Sequence, residues 1–200
     1  MAGNSLPPVG VFALQGDVRE HVAVLRDLGA DVREVRTPAQ LDEVAGLVIP
    51  GGESSVMDKL SRLFALQEPL RARIRAGMPV YGTCAGLIML ADRVHDGIDG
   101  QQTLGGLDVA VRRNAFGNQL DSFETALDVP VLGEPPVHAV FIRAPVVDEV
   151  GPEVEVLARL DDGRIVAVEQ GRLLGTSFHP EVSGERRFHE RFLGHVAAAS

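Results

Sequence analysis

Short apolar runs and helical repeats alternate through the first half of the chain. Val9 to Leu14 is apolar and ends in Gln15-Gly16-Asp17, which predicts a buried strand and its turn. Asp17 suits a helix N-cap. Val18, Val22, Leu25 and Leu28 follow at helical spacing, and Gly29 stops the helix. Val32 to Val35 predicts a second, weaker strand. Thr37-Pro38-Ala39-Gln40 reads as a capping box with proline at the first helical position, opening a short helix. Gly46 to Ile49 is another buried strand. Val56, Leu60, Leu63 and Phe64 fall on one face of the next predicted helix. Pro69 begins a further one, with Leu70 and Ile74 apolar and Gly77 as its stop. This β-α-β-α-β rhythm predicts a parallel sheet with helices on both faces.

The second half changes period. Leu107, Val109 and Val111 alternate with polar or small residues, as in a half-exposed strand. Arg112 to Gly117 reads as a polar loop, and Val137 to Ile142 is apolar before Arg143-Ala144-Pro145. Val154, Val156, Ala158 and Leu160 alternate up to a hairpin turn at Asp161-Asp162-Gly163, which leads into Ile165 to Val168. Gln170-Gly171-Arg172 is a second tight turn, into Leu173 to Phe178. Phe188, Phe192 and Val196 recur at i, i+4, i+8 in a final covering helix from Glu185 to Ala199. The expected fold is therefore α/β: a flavodoxin-like three-layer sandwich with a mostly parallel central sheet and added antiparallel strands. No repeat or linker divides it, so residues 1–200 are expected to form one domain.

Composition narrows the class. The formal net charge of -9 argues against nucleic acid or an anionic membrane as the main partner. A single cysteine excludes an internal disulfide and fits a reducing compartment. The first residues lack the basic and apolar regions of a signal peptide, and no apolar run approaches spanning length. The expectation is a cytoplasmic protein.

That cysteine sits where chemistry is expected. Met78 to Tyr81 predicts a short buried strand and Leu87 to Leu90 a helix, with Gly82-Thr83-Cys84-Ala85-Gly86 between them. A strand that turns into a helix so abruptly needs small residues on both sides of the turn. Cys84 would project from such an elbow, with a helix N-terminus behind it to favour a thiolate. The alternative is a buried structural cysteine.

His179-Pro180-Glu181 closes a later strand. Proline between them should hold His179 and Glu181 extended, so that both side chains leave one turn on the same side. Glu181 could then orient the imidazole, and His179 could take a thiol proton. Both could also be plain solvent-facing residues. Pro50-Gly51-Gly52-Glu53-Ser54-Ser55 ends the strand Gly46–Ile49, where ligands bind in this fold class. Acyl transfer needs an oxyanion hole, and the backbone N–H groups of Gly52 and Ala85 are the candidate donors. Arg112, Arg113 and Arg143 could recognise a carboxylate or be solvated surface charge. The other histidines, His21, His95, His138, His189 and His195, show no metal-ligand spacing, so neither metal nor cofactor is expected.

Gly82-Thr-Cys-Ala-Gly86, Pro50-Gly-Gly-Glu-Ser54 and Ser177-Phe-His-Pro-Glu181 together resemble the class I, triad-type glutamine amidotransferases. Ala13-Leu-Gln-Gly-Asp17, Val111-Arg-Arg-Asn-Ala-Phe-Gly117 and Phe141-Ile-Arg-Ala-Pro145 narrow this: they are similar to the glutaminase subunits of pyridoxal 5′-phosphate (vitamin B6) synthase. The resemblance runs from about Val9 to the final helix. It implies that Cys84 attacks the side-chain amide of L-glutamine to form a thioester, with His179 as base and Glu181 as its orienting group. It implies glutamine binding by Gly51, Gly52, Glu53, Ser54, Arg113, Ile142 and Arg143. It further implies that ammonia passes to a separate barrel-shaped synthase subunit in a large ring-based complex, with the Gln15-Gly16-Asp17 turn near that partner. Two other readings stay open: an amidotransferase subunit of another pathway such as histidine biosynthesis, and a non-catalytic regulatory subunit.

Overall fold

A computed structural model describes residues 6–113, 115 and 122–199. Of the loop expected over Arg112–Gly117, residues Asn114, Phe116 and Gly117 lie outside that description. In chain order the elements are β1 (Val9–Phe12), α1 (Val18–Asp27), β2 (Val32–Val35), α2 (Pro38–Asp42), β3 (Gly46–Ile49), α3 (Ser54–Leu63), α4 (Gln67–Arg75) and β4 (Val80–Thr83). Then come α5 (Ala85–Leu90), β5 (Ala91–His95), β6 (Leu107–Arg112), β7 (Ser122–Leu127), a 3-10 turn (Pro130–Leu132), β8 (Val137–Ile142) and β9 (Val146–Val150). The chain ends with β10 (Glu155–Arg159), β11 (Ile165–Gln170), β12 (Leu173–Thr176), α6 (Pro180–Ser183) and α7 (Arg187–Ala199).

Strands β1, β3, β4 and β12 are buried along their whole length, as strands covered on both faces must be. With β2 they pair in parallel in the order β2-β1-β3-β4-β12, the flavodoxin-like arrangement. Antiparallel β11 continues the sheet beyond β12 and leads to β9, β6 and β5, while β10 pairs with β11. Strands β7 and β8 form a separate antiparallel ribbon. Alternate side chains of each strand feed two cores. Phe12, Leu47, Ile49 and Val80 pack with α2 to α5 on one face. Val9, Val11, Val48, Tyr81 and Leu174 pack with α1 and α7 on the other. Phe188, Phe192 and Val196 bury the predicted stripe of α7 completely.

The structure corrects several expectations. The stripe Val56, Leu60, Leu63 and Phe64 does not face the core: Val56 is 38% exposed, Leu63 76% and Phe64 47%. The opposite face is buried instead, through Ser54, Ser55, Met57, Asp58 and Ser61. Its small side chains permit close approach, and Asp58 is satisfied by Arg62 (2.9 Å), Gln67 (3.1 Å) and the Gln102 amide (3.0 Å). Thr37 caps α2, but Gln40 accepts from the Arg36 amide (2.8 Å), so the reciprocal half of the capping box is displaced by one residue. Helix α4 starts at Gln67, two residues before Pro69, and β12 ends at Thr176, short of Phe178. Asp17 occupies the N-cap position of α1 without capping it. His179 and Glu181 do not sit on extended chain: Pro180 opens the one-turn helix α6, whose first turn carries Glu181.

Candidate active site

Four turns meet at the carboxyl ends of β1, β3, β4 and β12, where a sheet of this order places its ligand crevice. The turn after β4 carries Cys84. Its backbone lies at φ 48°, ψ −102°, outside the comfortable regions for a residue with a side chain. The conformation is pinned from both sides. The Cys84 amide donates to the Thr176 carbonyl (2.8 Å), and α5 starts at the next residue. Gly82 and Gly86 are required by space. A Cβ on Gly82 would lie 2.5 Å from the Gly86 carbonyl, and one on Gly86 would lie 2.1 Å from the Ile49 carbonyl oxygen. Cys84 is the strained, glycine-bracketed elbow anticipated above. Its Sγ lies 3.9 Å from the Ile142 carbonyl oxygen at the end of β8.

His179 reaches the same point from β12. Its amide donates to the Val140 carbonyl (2.9 Å), tying it to β8, and its Nδ1 lies 2.8 Å from Glu181 Oε1. The imidazole and carboxylate are both buried. Burial works against a charged imidazole. Hydrogen bonding to Cys84 and to Glu181, with the negative charge of each, outweighs it and raises the His179 pKa to about 10. The Nδ1 proton faces Glu181, and Nε2 is left to take the proton of the sulfur.

The β3 turn supplies the third wall. A Cβ on Gly51 would come 2.4 Å from His179 Cε1, so the glycine backbone lies flat against the imidazole. Gly52 has φ +153°, and a Cβ there would meet Gln15 Oε1 at 2.5 Å. The loop is held by the β1 turn: the Glu53 amide donates to Gln15 Oε1 (2.8 Å), and the Asp17 amide donates to the Gly51 carbonyl (3.0 Å). Ala85, the other candidate oxyanion donor, is the first residue of α5, so its N–H is one of the free donors of a helix N-terminus.

Beside this centre lies a polar group. Glu53 caps α3 by accepting from the Ser55 amide (3.2 Å) and hydroxyl (2.8 Å), and it receives Arg113 Nη2 at 2.8 Å. Burial pushes the Glu53 pKa up, but Ser55 and Arg113 together bring it below its ordinary value. Arg113 also donates to Gln101 Oε1 (2.9 Å), whose Nε2 donates to Ser54 Oγ (3.0 Å). Ile142 ends β8, and Arg143 follows it. Both are exposed, Arg143 has φ 44°, and it pairs with no carboxylate among the described residues. Arg112 is instead engaged by Asp148 (2.8 Å) and Asp96 (3.4 Å).

Two participants were not anticipated. Gln101 joins Arg113 to Ser54 from a stretch without periodicity. Asp17, read as a cap, lies 3.6 Å from His179 Nδ1, and burial raises its pKa against the pull of His179. Asp17, His179 and Glu181 offer ligand atoms within 4.8 Å of one another, but His179 Nδ1 is already bonded to Glu181. The signal for Asp17 was its place at the same sheet edge as Cys84.

A buried cysteine on an elbow, beside an imidazole that a carboxylate orients, suits nucleophilic acyl transfer from an amide. The comparisons with known proteins agree. A pyridoxal 5′-phosphate synthase subunit PdxT from Leifsonia xyli subsp. xyli is 69% identical over 193 residues, covering 96% of each chain. One from Clavibacter sepedonicus is 68% identical over 205 residues, 100% of this chain and 98% of that one. A crystal structure of a glutamine amidotransferase superposes with a TM-score of 0.88 at 46% identity, covering 94% of this chain and 98% of that one. PurLQS from Thermotoga maritima shares the fold alone, with a TM-score of 0.64 at 19% identity. Residues 11–198 match the profile of the SNO glutamine amidotransferases, and the chain belongs to that family.

Proposed function

We propose that the chain is the glutaminase subunit of a pyridoxal 5′-phosphate synthase, hydrolysing L-glutamine to L-glutamate and ammonia. The observation that carries the chemistry is the meeting of Cys84, on its strained elbow, with a His179 whose pKa is raised to about 10 and whose Nδ1 is bonded to Glu181. The Cys84 thiolate attacks the side-chain carbonyl carbon of glutamine. Negative charge develops on the amide oxygen, where the N–H groups of Gly52 and Ala85 are the donors in reach. His179 gives its proton to the departing nitrogen, the C–N bond breaks, and ammonia leaves a γ-glutamyl thioester on Cys84. His179, now neutral, takes a proton from water. The resulting hydroxide attacks the thioester, the C–S bond breaks, and glutamate departs with the thiolate and imidazolium restored. Throughout, Glu181 holds the Nδ1 proton.

Arg113, with Glu53, Ser54 and the backbone of Gly51 and Gly52, suits the polar end of a small amino acid, and Ile142 and Arg143 would close the opposite wall. The family match over residues 11–198 supports one amidotransferase domain. The names of the relatives, subunits of a pyridoxal 5′-phosphate synthase, support a partner subunit. In the proposal ammonia passes to a barrel-shaped synthase subunit, which a large ring-based complex would hold over the Gln15-Gly16-Asp17 turn. No helix among the described residues is long and apolar enough to cross a membrane. The cytoplasmic setting is part of the proposal and rests on the single cysteine, which fits a reducing compartment.

The test is glutamate and ammonia release from glutamine, with and without the synthase subunit. The parent is expected to turn over and to be stimulated by the synthase. Cys84→Ala should release no glutamate while still binding the partner. Turnover retained in Cys84→Ala would remove the nucleophile assignment, and absence of stimulation would remove the pathway assignment.

A further inference from the structure

Beside the Glu181 carboxylate lies a buried pair of imidazoles that the mechanism above does not use. His21, on α1, has its Nε2 3.1 Å from Thr83 Oγ1 and 3.6 Å from Glu181 Oε1. Its Nδ1 lies 2.9 Å from Nε2 of His189, on α7. His21, Thr83 and His189 are fully buried. Tyr81 packs edge-on against His189, with ring centroids 5.4 Å apart. The same Oε1 that accepts from His179 thus has a second ring nitrogen beside it, and Glu181 Oε2 has no hydrogen-bond partner among the described residues.

The proton positions follow from what each atom can do. A carboxylate only accepts, so a nitrogen facing Glu181 is favourable when it carries hydrogen. With hydrogen on His21 Nε2, its Nδ1 is bare and must accept from His189 Nε2–H. That leaves His189 Nδ1 bare, and it is one of the few buried polar atoms without a described partner. Neither ring is charged near neutral pH. Burial, then His189 and His179, depress His21 well below its ordinary value, and burial brings His189 to about 4. The two neutral N–H dipoles then point the same way, toward Glu181. Thr83 directly precedes Cys84, so His21 touches both the strand that carries the nucleophile and the carboxylate that serves its base.

We infer that His21 is a positioning residue for the glutaminase reaction, its ring tying Thr83, next to the nucleophile, to the Glu181 carboxylate that orients His179. The inference rests on the assignment of Cys84, His179 and Glu181 made above. The groups facing this array are His179 and Glu181 from the β12 turn, Asp17 from the start of α1, Cys84 from the elbow and His189 from α7, with Glu185 acting on His189 at longer range.

The experiment has two arms. In the first, glutamine hydrolysis with the synthase subunit present is followed for His21→Phe, which removes the N–H, and His21→Gln, whose amide nitrogen can stand where Nε2 stood. Phe should lower kcat by about 10- to 100-fold, the loss on the scale of removing a group that orients a working imidazole, with KM for glutamine changed less than about twofold. Gln should restore most of kcat. In the second arm, nitrogen-15 spectra of the unmodified chain should show His21 protonated at Nε2 and unprotonated at Nδ1. Equal losses in Phe and Gln, or His21 protonated at Nδ1, would overturn the inference. The second arm needs no variant to fold and no turnover. It therefore fails separately from the triad assignment, which falls only if Cys84→Ala retains activity.

Discussion

Adding one methyl group to Gly51 should disable the site without touching any polar group in it. A Cβ at this position would lie 2.4 Å from His179 Cε1 and 2.9 Å from Nδ1, where ordinary contact begins at 3.4 Å. Something must move by about 1 Å. The loop cannot easily yield. Its carbonyl at Gly51 accepts from the Asp17 amide (3.0 Å), and the Glu53 amide two residues on is held by Gln15 (2.8 Å). The imidazole is the more mobile partner, and a 1 Å displacement breaks its 2.8 Å contact with Glu181. A misplacement of that size in a reacting group lowers rates by about 100-fold. Gly51→Ala is therefore expected to lose about two orders of magnitude in kcat for glutamine hydrolysis, assayed by glutamate release with the synthase subunit present. Its far-ultraviolet spectrum should match that of the parent. A variant within about threefold of the parent kcat would show that His179 is not held against this backbone, and the geometry argued for the triad would fall with it.

Four further outcomes follow from the same structure. Removing the sulfur in Cys84→Ala takes away a principal cause of the raised His179 pKa, so the imidazole should titrate well below about 10 by NMR, and an unchanged midpoint would refute the pairing. The sign for stability is fixed by the same shift: a raised imidazole pKa stabilises the fold fully below its unfolded value near 6.5 and is lost as pH rises through about 10, so the parent should show an alkaline fall in melting temperature that Cys84→Ala flattens. Arg113→Met should raise KM for glutamine by roughly tenfold with a smaller change in kcat, because it removes a charged donor to the polar group without touching the reacting atoms, and an unchanged KM would separate Arg113 from the substrate. Gly194→Ala lies inside α7 with nothing within 4 Å of the new Cβ, so it should stabilise the chain by about 0.5–1 kcal/mol in urea and leave kcat unchanged; a loss of stability would contradict the open space there.

The parts that read correctly from sequence are those in which one physical demand dominates. Strands β1 and β3 carry no polar residue because helices cover both their faces, and they were legible as unbroken runs, whereas the run Met78–Tyr81 marked only the first half of β4, which continues through Gly82 to Thr83. The elbow was legible because close backbone approach leaves only glycine at positions 82 and 86. Helix α3 misled because its most regular apolar stripe is the outer one. Its burial was decided by Met57 and by serines whose small size lets the helix approach the sheet, a criterion that hydrophobic periodicity does not score. Strands β5, β7 and β9 went unseen because they are largely exposed and carry no unbroken apolar run to mark them. Within the site, residues that adjoin their partners in the chain were visible, as His179 and Glu181 were. Those joined only by folding were not: Gln101 meets Arg113 and Ser54 through side-chain amides, and His21 meets Thr83 across 62 positions.

The chain's only thiol is the one on the elbow. A thiol-selective electrophile therefore labels this chain at one position, so the extent of labelling reads the state of Cys84 directly, before any turnover is measured. The same economy leaves the protein without a resolving cysteine. When Cys84 is oxidised to a sulfenic acid, no second thiol in the chain can trap it as a disulfide, so recovery depends on an external reductant acting before the sulfinic stage. Loss of activity on ageing in air should track loss of that single thiol, and early addition of dithiothreitol should return both together.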